Sequence, residues 1–362
     1  MPIVGRFQVD YTRYLDHQGE ATQPLPQFAL DPTVLIPLYR AMYLTRVFDT
    51  KAIALQRTGK IGTFASALGQ EAIGVGVASA MHKDDVLAPS YRDHAAQFMR
   101  GVTMVESLLY WGGDESGSNF AVPRSDFPIC VPIATQVCHA AGAAYAFKLR
   151  QEARVAVCIL GDGATSKGDF YEAMNLGAVW QAPLVMVINN NQWAISVPRS
   201  RQTETPTLAQ KAIAAGLEGC QVDGNDVIAM RHVAQQAIDK ARGGGGPTLI
   251  EAISYRLGDH TTADDSTRYR DPAEVQQQWT LEPIVRLRKH LVRLNAWGKE
   301  QEEQLLRECT NAVDEAVEGY LATAPPTTAA MFDHLYGALP AALQDQRERA
   351  LRFAPPEGGE HG

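Results

Sequence analysis

The chain has 362 residues, of which 45% are hydrophobic and 20% charged, with a formal net charge of -8 and a pI near 5.6. This is a globular composition, long enough for one large domain or two ordinary ones, and its basic residues form no long cluster, which argues against nucleic acid or an anionic membrane surface as a partner. No apolar segment approaches the ~18 uninterrupted residues of a membrane span, and the five cysteines (Cys130, Cys138, Cys158, Cys220 and Cys309) are odd in number and lack a CxxC pair, against a disulfide framework or structural zinc. Arg6, Asp10, Arg13 and Asp16 disfavour a secretion signal or transit peptide, although a mature form already stripped of one would look the same. A reducing cytoplasm is the expected setting.

Residues 1–30 are polar and proline-dotted and read as an extended arm. From Val34, the apolar Leu35, Leu38, Met42 and Leu44 recur near helical spacing, and residues 70–81 suit a buried helix. Residues 112–132, rich in Gly, Ser, Asp and Pro, read as a loop lining something. Residues 155–160 (VAVCIL) and 184–188 (LVMVI) are short, β-branched apolar runs of the kind found in central parallel strands. Between them Phe170, Ala173, Met174, Gly177 and Ala178 form one helical stripe, giving a strand, helix, strand unit with an expected right-handed crossover. Residues 249–255 (LIEAISY) predict one further strand, residues 283–321 charged helices, and residues 355–362 a frayed tail. The expectation is an α/β protein, a doubly wound, mostly parallel sheet flanked by helices. The arm would occupy 1–30, the α/β domain 31–285, and a helical C-terminal region 286–362.

Two motifs fall directly after the first two apolar runs. Gly161-Asp162-Gly163-Ala164-Thr165 follows one, and Asn189-Asn190-Asn191-Gln192-Trp193 follows the other, so both sit at carboxyl ends of neighbouring strands, where open α/β sheets bind ligands. Glycines let backbone N–H groups approach phosphate oxygens, and Asp162 offers a carboxylate to a hard cation such as magnesium. A lone GDG is more often a tight turn; its pairing with Asn191 across a complete crossover helix is what favours a ligand site.

GDGATSKGDF followed by NNNQWAIS resembles the thiamine diphosphate motif as worded in the alpha subunits of pyruvate and branched-chain 2-oxo acid dehydrogenase complexes, and the resemblance runs from about Tyr39 to Leu291. It implies the diphosphate-binding type of the thiamine diphosphate-binding fold, with magnesium held by Asp162, Asn191 and the Trp193 carbonyl. Cofactor contacts would extend over Gly161, Gly163 and Ala164. Ser90-Tyr91-Arg92-Asp93-His94 matches the segment whose Tyr and Arg hold the diphosphate, and an Arg fork suits phosphate on chemical grounds as well. VPIATQV, residues 131–137, resembles the stretch that meets the aminopyrimidine through backbone groups of Val131 and Ile133, where the family often has Gly at the first position. Tyr255-Arg256-Leu257-Gly258-Asp259-His260 resembles the active-site loop, with Arg256 near the diphosphate and His260 near the reacting carbon, so these two are the expected catalytic residues. Thr261 stands where eukaryotic relatives carry a phosphorylated Ser. The cluster Asp264, Asp265, Arg268, Tyr269 and Arg270 is expected to order the loop by local ion pairs or to be a solvated charged turn.

In this superfamily the cofactor is activated by a Glu on a second α/β domain, for which the chain leaves no room. The resemblance therefore implies a separate beta subunit, an α2β2 heterotetramer, and transfer of the acyl unit to a lipoyl group of an acyltransferase component. Residues 207–224 look closer to bacterial pyruvate-type subunits, so pyruvate is the expected substrate, ahead of branched-chain 2-oxo acids and acetoin. Phe64 and the stretch 131–133 are expected to shape the substrate pocket. Competing readings are the first half of a split transketolase and a non-catalytic nucleotide-binding module; the absence of GxGxxG weakens the second.

Overall fold

A computed structural model describes residues 2–354; the tail expected over 355–362 lies outside the described residues. The strands are β1 (Tyr11–Thr12), β2 (Val86–Ala88), β3 (Ala156–Gly161), β4 (Leu184–Asn190), β5 (Trp193–Ala194), β6 (Val197–Pro198), β7 (Glu218–Asp223) and β8 (Thr248–Ile253). Six of them form one wholly parallel sheet in the order β1-β7-β8-β4-β3-β2, while β5 and β6 make a small antiparallel hairpin. The α/β expectation holds.

The apolar runs are continuous because both faces of the sheet are covered. Side chains alternate across a strand, and here Ala156, Cys158 and Leu160 of β3 with Leu184, Met186 and Ile188 of β4 pack against helices α5 (Thr135–Leu149) and α6 (Gly168–Val179). The intervening Val157, Ile159, Val185 and Val187 pack on the other face, against helices α2 (Glu71–Ala80) and α8 (Val227–Arg242). The stripe expected between the two motifs is the buried face of α6, residue for residue.

A third apolar cluster lies beyond α2. Helix α1 (Pro32–Arg57) starts with Pro32 after the Asp31 cap, whose carboxylate accepts from Thr33 N–H. Its buried stripe of Leu35, Leu38, Tyr39, Met42, Thr45, Phe48, Asp49, Ala52 and Leu55 leaves Leu44 to the side. Leu35, Leu38 and Met42 meet Ile284, Leu287 and Leu291 of α10 (Pro283–Arg293) and Leu305 of α11 (Lys299–Leu321). The chain forms two compact units, Met1–Val317 and Glu318–Gly362; within the second, α12 (Ala330–Asp333) and α13 (Ala341–Arg352) are joined by an Arg347–Asp333 pair at 3.6 Å. No helix among the described residues is long and apolar enough to cross a membrane.

The sequence reading found one strand after the NNN motif where the sheet has two. Strand β7 (EGCQVD) was invisible because its first four residues are exposed or half-buried and carry neither an apolar run nor alternation. It shelters β1, so the N-terminal arm contributes a sheet strand, and Asp226 accepts from the N–H groups of Tyr14 and Leu15, both at 2.7 Å, to hold the arm in place.

Helices α2 and α8 approach closely through glycine: a Cβ on Gly76 would stand 2.5 Å from Met230 Cβ. Gly76→Ala should force the pair apart and lower stability by about 1–3 kcal/mol. The check is urea denaturation, and an unchanged midpoint would contradict this packing.

Candidate active site

Strands β3 and β4 end in register, Gly161 opposite Asn189, so the GDG and NNN motifs emerge side by side at one edge of the sheet. Beyond them opens a cavity of about 530 Å³. Gly161, Asp162, Gly163 and Ala164 line one wall, and Asn189, Asn191 and Trp193 the next. Tyr91, Arg92, Val131, Ile133 and His260 complete the expected set, brought from loops distant in sequence. Arg256 is the exception. It stands behind His260, outside the lining, and its guanidinium donates to the carbonyls of Trp193 (3.3 Å) and Ile195 (2.9 Å) and to the Tyr269 hydroxyl (2.8 Å).

At the strand ends the donors are oxygens. The Asp162 carboxylate is 2% exposed and accepts from Gln202 Nε2 at 2.7 Å; burial pushes its pKa above the usual carboxylate range, opposed by the Gln202 hydrogen bond and by the Arg256 charge. No salt bridge reaches it among the described residues. Asn189 Nδ2 and Asn191 Nδ2 both donate to Gln70 Oε1, each at 2.9 Å, which turns the Asn191 amide oxygen the other way, where it accepts from Trp193 N–H at 3.2 Å. Oxygen has a second lone pair free for a cation.

Two glycines shape the cradle. A Cβ on Gly161 would project into open space, and one on Gly163 would lie 2.7 Å from Ala194 Cβ. Around the cavity, Ala134 (φ 67), Gln192 (φ 73) and Ile195 (φ 55) hold left-handed backbone without being glycine, and such strain collects at ligand sites.

Two guanidinium groups, Arg92 in the lining and Arg256 behind it, converge on the His260 imidazole. Arg92 Nη2 lies 3.2 Å and Arg256 Nη1 3.4 Å from His260 Nδ1, and Arg92 Nη2 also donates to the His260 carbonyl at 2.8 Å. A guanidinium has no acceptor, so Nδ1 must accept and the proton of the neutral ring sits on Nε2. Burial, then the Arg92 and Arg256 charges, hold the His260 pKa down to about 4, against the pull of Asp264; burial and Arg92 hold Arg256 down to about 10. Neither arginine has a carboxylate partner among the described residues.

Loop order comes from hydrogen bonds to backbone and to hydroxyls, and no ion pair joins the 264–270 cluster among the described residues, so of its two readings the ion-paired one does not hold. Asp264 accepts from His260 N–H at 2.8 Å and from the Tyr269 hydroxyl, while Arg270 donates to the carbonyls of Arg256 and Gly258. Phe64 does not line the cavity as expected: it is fully buried among Phe48, His94 and Trp111, and its neighbours Thr63 and Ala65 reach the wall instead.

Sequence reading missed Gln70, Trp111, Gln136 and Gln202. Gln70 Nε2 and Gln136 Oε1 are buried without partners among the described residues. Both sit at the opening turn of a helix, Gln70 at the cap of α2 and Gln136 in the first turn of α5, and no local spacing marked them.

A histidine whose folded pKa lies below its unfolded value of ~6.5 takes up its proton first in the unfolded chain. Its contribution to stability is therefore intact above ~6.5 and falls as pH drops toward about 4. NMR titration of the His260 ring should show a midpoint near 4 that rises in Arg92→Ala; a midpoint unmoved by that substitution would contradict the arrangement.

Residues 39–328 match the dehydrogenase E1 component family. The chain is similar to the 3-methyl-2-oxobutanoate dehydrogenase subunit alpha of Mycobacterium tuberculosis, 43% identical over 312 residues that span 86% of this chain and 85% of that protein. It is also similar to pyruvate dehydrogenase E1 component subunits alpha: that of Mycoplasma genitalium is 36% identical over 98% of this chain and 99% of that protein, and that of Staphylococcus aureus 38% identical over 94% and 92%. With the GDG and NNN motifs at adjacent strand ends and a match that covers most of its length, the chain belongs to the dehydrogenase E1 component family of 2-oxo acid dehydrogenases.

Proposed function

We propose that this chain is the alpha subunit of a pyruvate dehydrogenase (acetyl-transferring) and binds thiamine diphosphate with magnesium in the 530 Å³ cavity. One observation carries the reading. Among the described residues the cavity has a cation-seeking side, where the buried Asp162 carboxylate has no salt-bridge partner, and an anion-seeking side, where Arg92 has no carboxylate partner. A magnesium-bound diphosphate has both complements.

The residues fit that group. Asp162, the Asn191 amide oxygen and the Trp193 carbonyl would hold the metal; Tyr91 and Arg92 would hold phosphate oxygens, with the backbone of Gly161, Gly163 and Ala164 beside them. The orphaned amide atoms of Gln70 and Gln136 and the open space above Gly161 accommodate a polar ligand. Backbone groups of Val131 and Ile133 would face its aminopyrimidine ring. When bound, thiamine diphosphate supplies the nucleophilic carbon and the electron sink for decarboxylating a 2-oxo acid.

The chain's own residues orient and stabilise charge. His260, neutral and protonated on Nε2, would offer a hydrogen-bond donor toward substrate or phosphate without adding a positive charge. Arg256 acts one step back, fixing the His260 tautomer and tying the loop to Trp193 and Ile195, so it is a positioning residue. Val131, Ile133 and Ile195 leave an apolar, exposed rim on the cavity, a surface suited to cover by another chain. That cover is read as the beta subunit of an α2β2 heterotetramer, which would supply the activating Glu. The acyl acceptor is read as the lipoyl group of an acyltransferase component, and the setting as cytoplasmic.

Pyruvate is supported by the nearly end-to-end match to the pyruvate dehydrogenase subunits. A second reading, a branched-chain 2-oxo acid, is favoured by the higher identity to the Mycobacterium protein. Co-expression with the product of the adjacent gene and assay of pyruvate against 3-methyl-2-oxobutanoate decides between them by the ratio of kcat/KM. Decarboxylation by this chain alone would refute the need for a second subunit. In calorimetry Asp162→Ala should lose magnesium-dependent binding of thiamine diphosphate, by about a hundredfold or more, with the fold retained. Undiminished affinity would remove Asp162 from the metal site.

A further inference from the structure

The Ser90–His94 motif contains more than the Tyr91 and Arg92 used above. His94 points away from the cavity, 1% exposed, into a cage of Phe48, Phe64 and Phe98 rings whose centroids lie 5.7 to 5.9 Å from its own. Its Nε2 meets Asp49 Oδ1 of α1 at 2.6 Å, while Nδ1 has no partner among the described residues. The other carboxylate oxygen of Asp49, also 1% exposed, accepts from Ser66 Oγ and from Ala67 N–H, both at 2.7 Å.

That grip falls on the back of a segment whose front carries the site. The Ser66 carbonyl accepts from Arg92 Nη1 at 2.6 Å. Phe64 exchanges two bonds with Thr262, its carbonyl accepting from Thr262 N–H at 2.9 Å and its N–H donating to Thr262 Oγ1 at 3.0 Å. The Leu68 carbonyl accepts from Leu257 N–H at 3.2 Å, and Leu68 N–H donates to Ser66 Oγ at 3.0 Å. Residues 64, 66 and 68 thus form a shelf for both Arg92 and the 257–262 loop, and a carboxylate from α1 fixes its middle.

We propose that Asp49, backed by His94, is a positioning residue for the active site: it fixes the 64–68 shelf and, through Ser66 and Phe64, the Arg92 fork and the His260 loop. Only the identity of Arg92's ligand rests on the proposed function; the shelf itself is independent of it. What the shelf requires of residue 49 is an acceptor for Ser66 and Ala67. An Asn can supply one through its oxygen while its NH2 faces His94, whose ring can then carry its proton on the now unpartnered Nδ1 and accept at Nε2. An Ala supplies none.

Hydrogen exchange on the full chain with its partner subunit tests this. Asp49→Ala should speed exchange in residues 257–265 by about tenfold and leave strand β4 unchanged, while Asp49→Asn stays within about twofold of wild type. Uniform acceleration over the whole chain, or an unchanged loop in Asp49→Ala, would overturn the proposal. If Asp49→Ala does not fold, Ser66→Ala decides: it removes one of the two bonds to Asp49, and the loop should exchange faster by about threefold, with an unmoved loop counting against the idea. In calorimetry, Asp49→Ala should weaken binding of thiamine diphosphate with magnesium by about tenfold and Asp49→Asn should not. Failure of the wild type to bind thiamine diphosphate would sink the proposed function and leave the exchange result to stand or fall by itself.

Discussion

The in-register pairing of β3 with β4, which sets Gly161 beside Asn189, is the constraint from which the site follows. A parallel pair advances both chains in one direction, so two strands that end together deliver their following loops to the same point. The register is held because every side chain of both strands up to Leu160 and Ile188 is buried, on one face or the other, and a slip of one residue would exchange the two faces. Glu251, buried in β8, extends the constraint outward by accepting from Asn190 Nδ2 at 2.7 Å and from Ala209 N–H at 3.0 Å.

Around that point the structure concentrates groups that would be costly in a finished core. Among the described residues, a carboxylate without a salt-bridge cation, a guanidinium without an acid, unpartnered amide atoms and left-handed non-glycine residues border one cavity. Burying such groups is unfavourable unless something completes them. Elsewhere many buried charges are paired, Arg46 with Glu71 and Glu282, Arg100 with Asp126, Arg242 with Asp85 and Arg286 with Asp223, while Asp226, Glu251, Lys211 and Arg270 are satisfied by hydrogen bonds with uncharged groups. What sets the site apart is that its uncompensated groups face one open cavity.

Legibility in the sequence followed the range of the interaction. The apolar runs of β3, β4 and β8 and the α6 stripe were readable because burial on two faces, or on one helical face, imposes a period that needs no partner to be recognised. Strand β7 and the two-residue β1 owe their place to neighbours, and a run such as EGCQVD has no period of its own. Arg256 was expected at the chemistry from its loop; the structure sets it behind His260, where carbonyls at 193 and 195 absorb its donors. Phe64 was expected to shape the substrate pocket, and the aromatic cage around His94 took it instead.

By itself the sequence determined the α/β class, the two motifs at strand ends and the chemistry their oxygens and glycines can support, because each is encoded within about thirty consecutive residues, the size of a single strand, helix, strand unit. Only the tertiary structure decided which distant loops meet them. Gln70 bridging Asn189 and Asn191, Arg92 reaching His260, and Asp49 steadying Ser66 are contacts across 17 to 168 residues of chain. Such contacts depend on where helices and strands pack, and no local spacing records that.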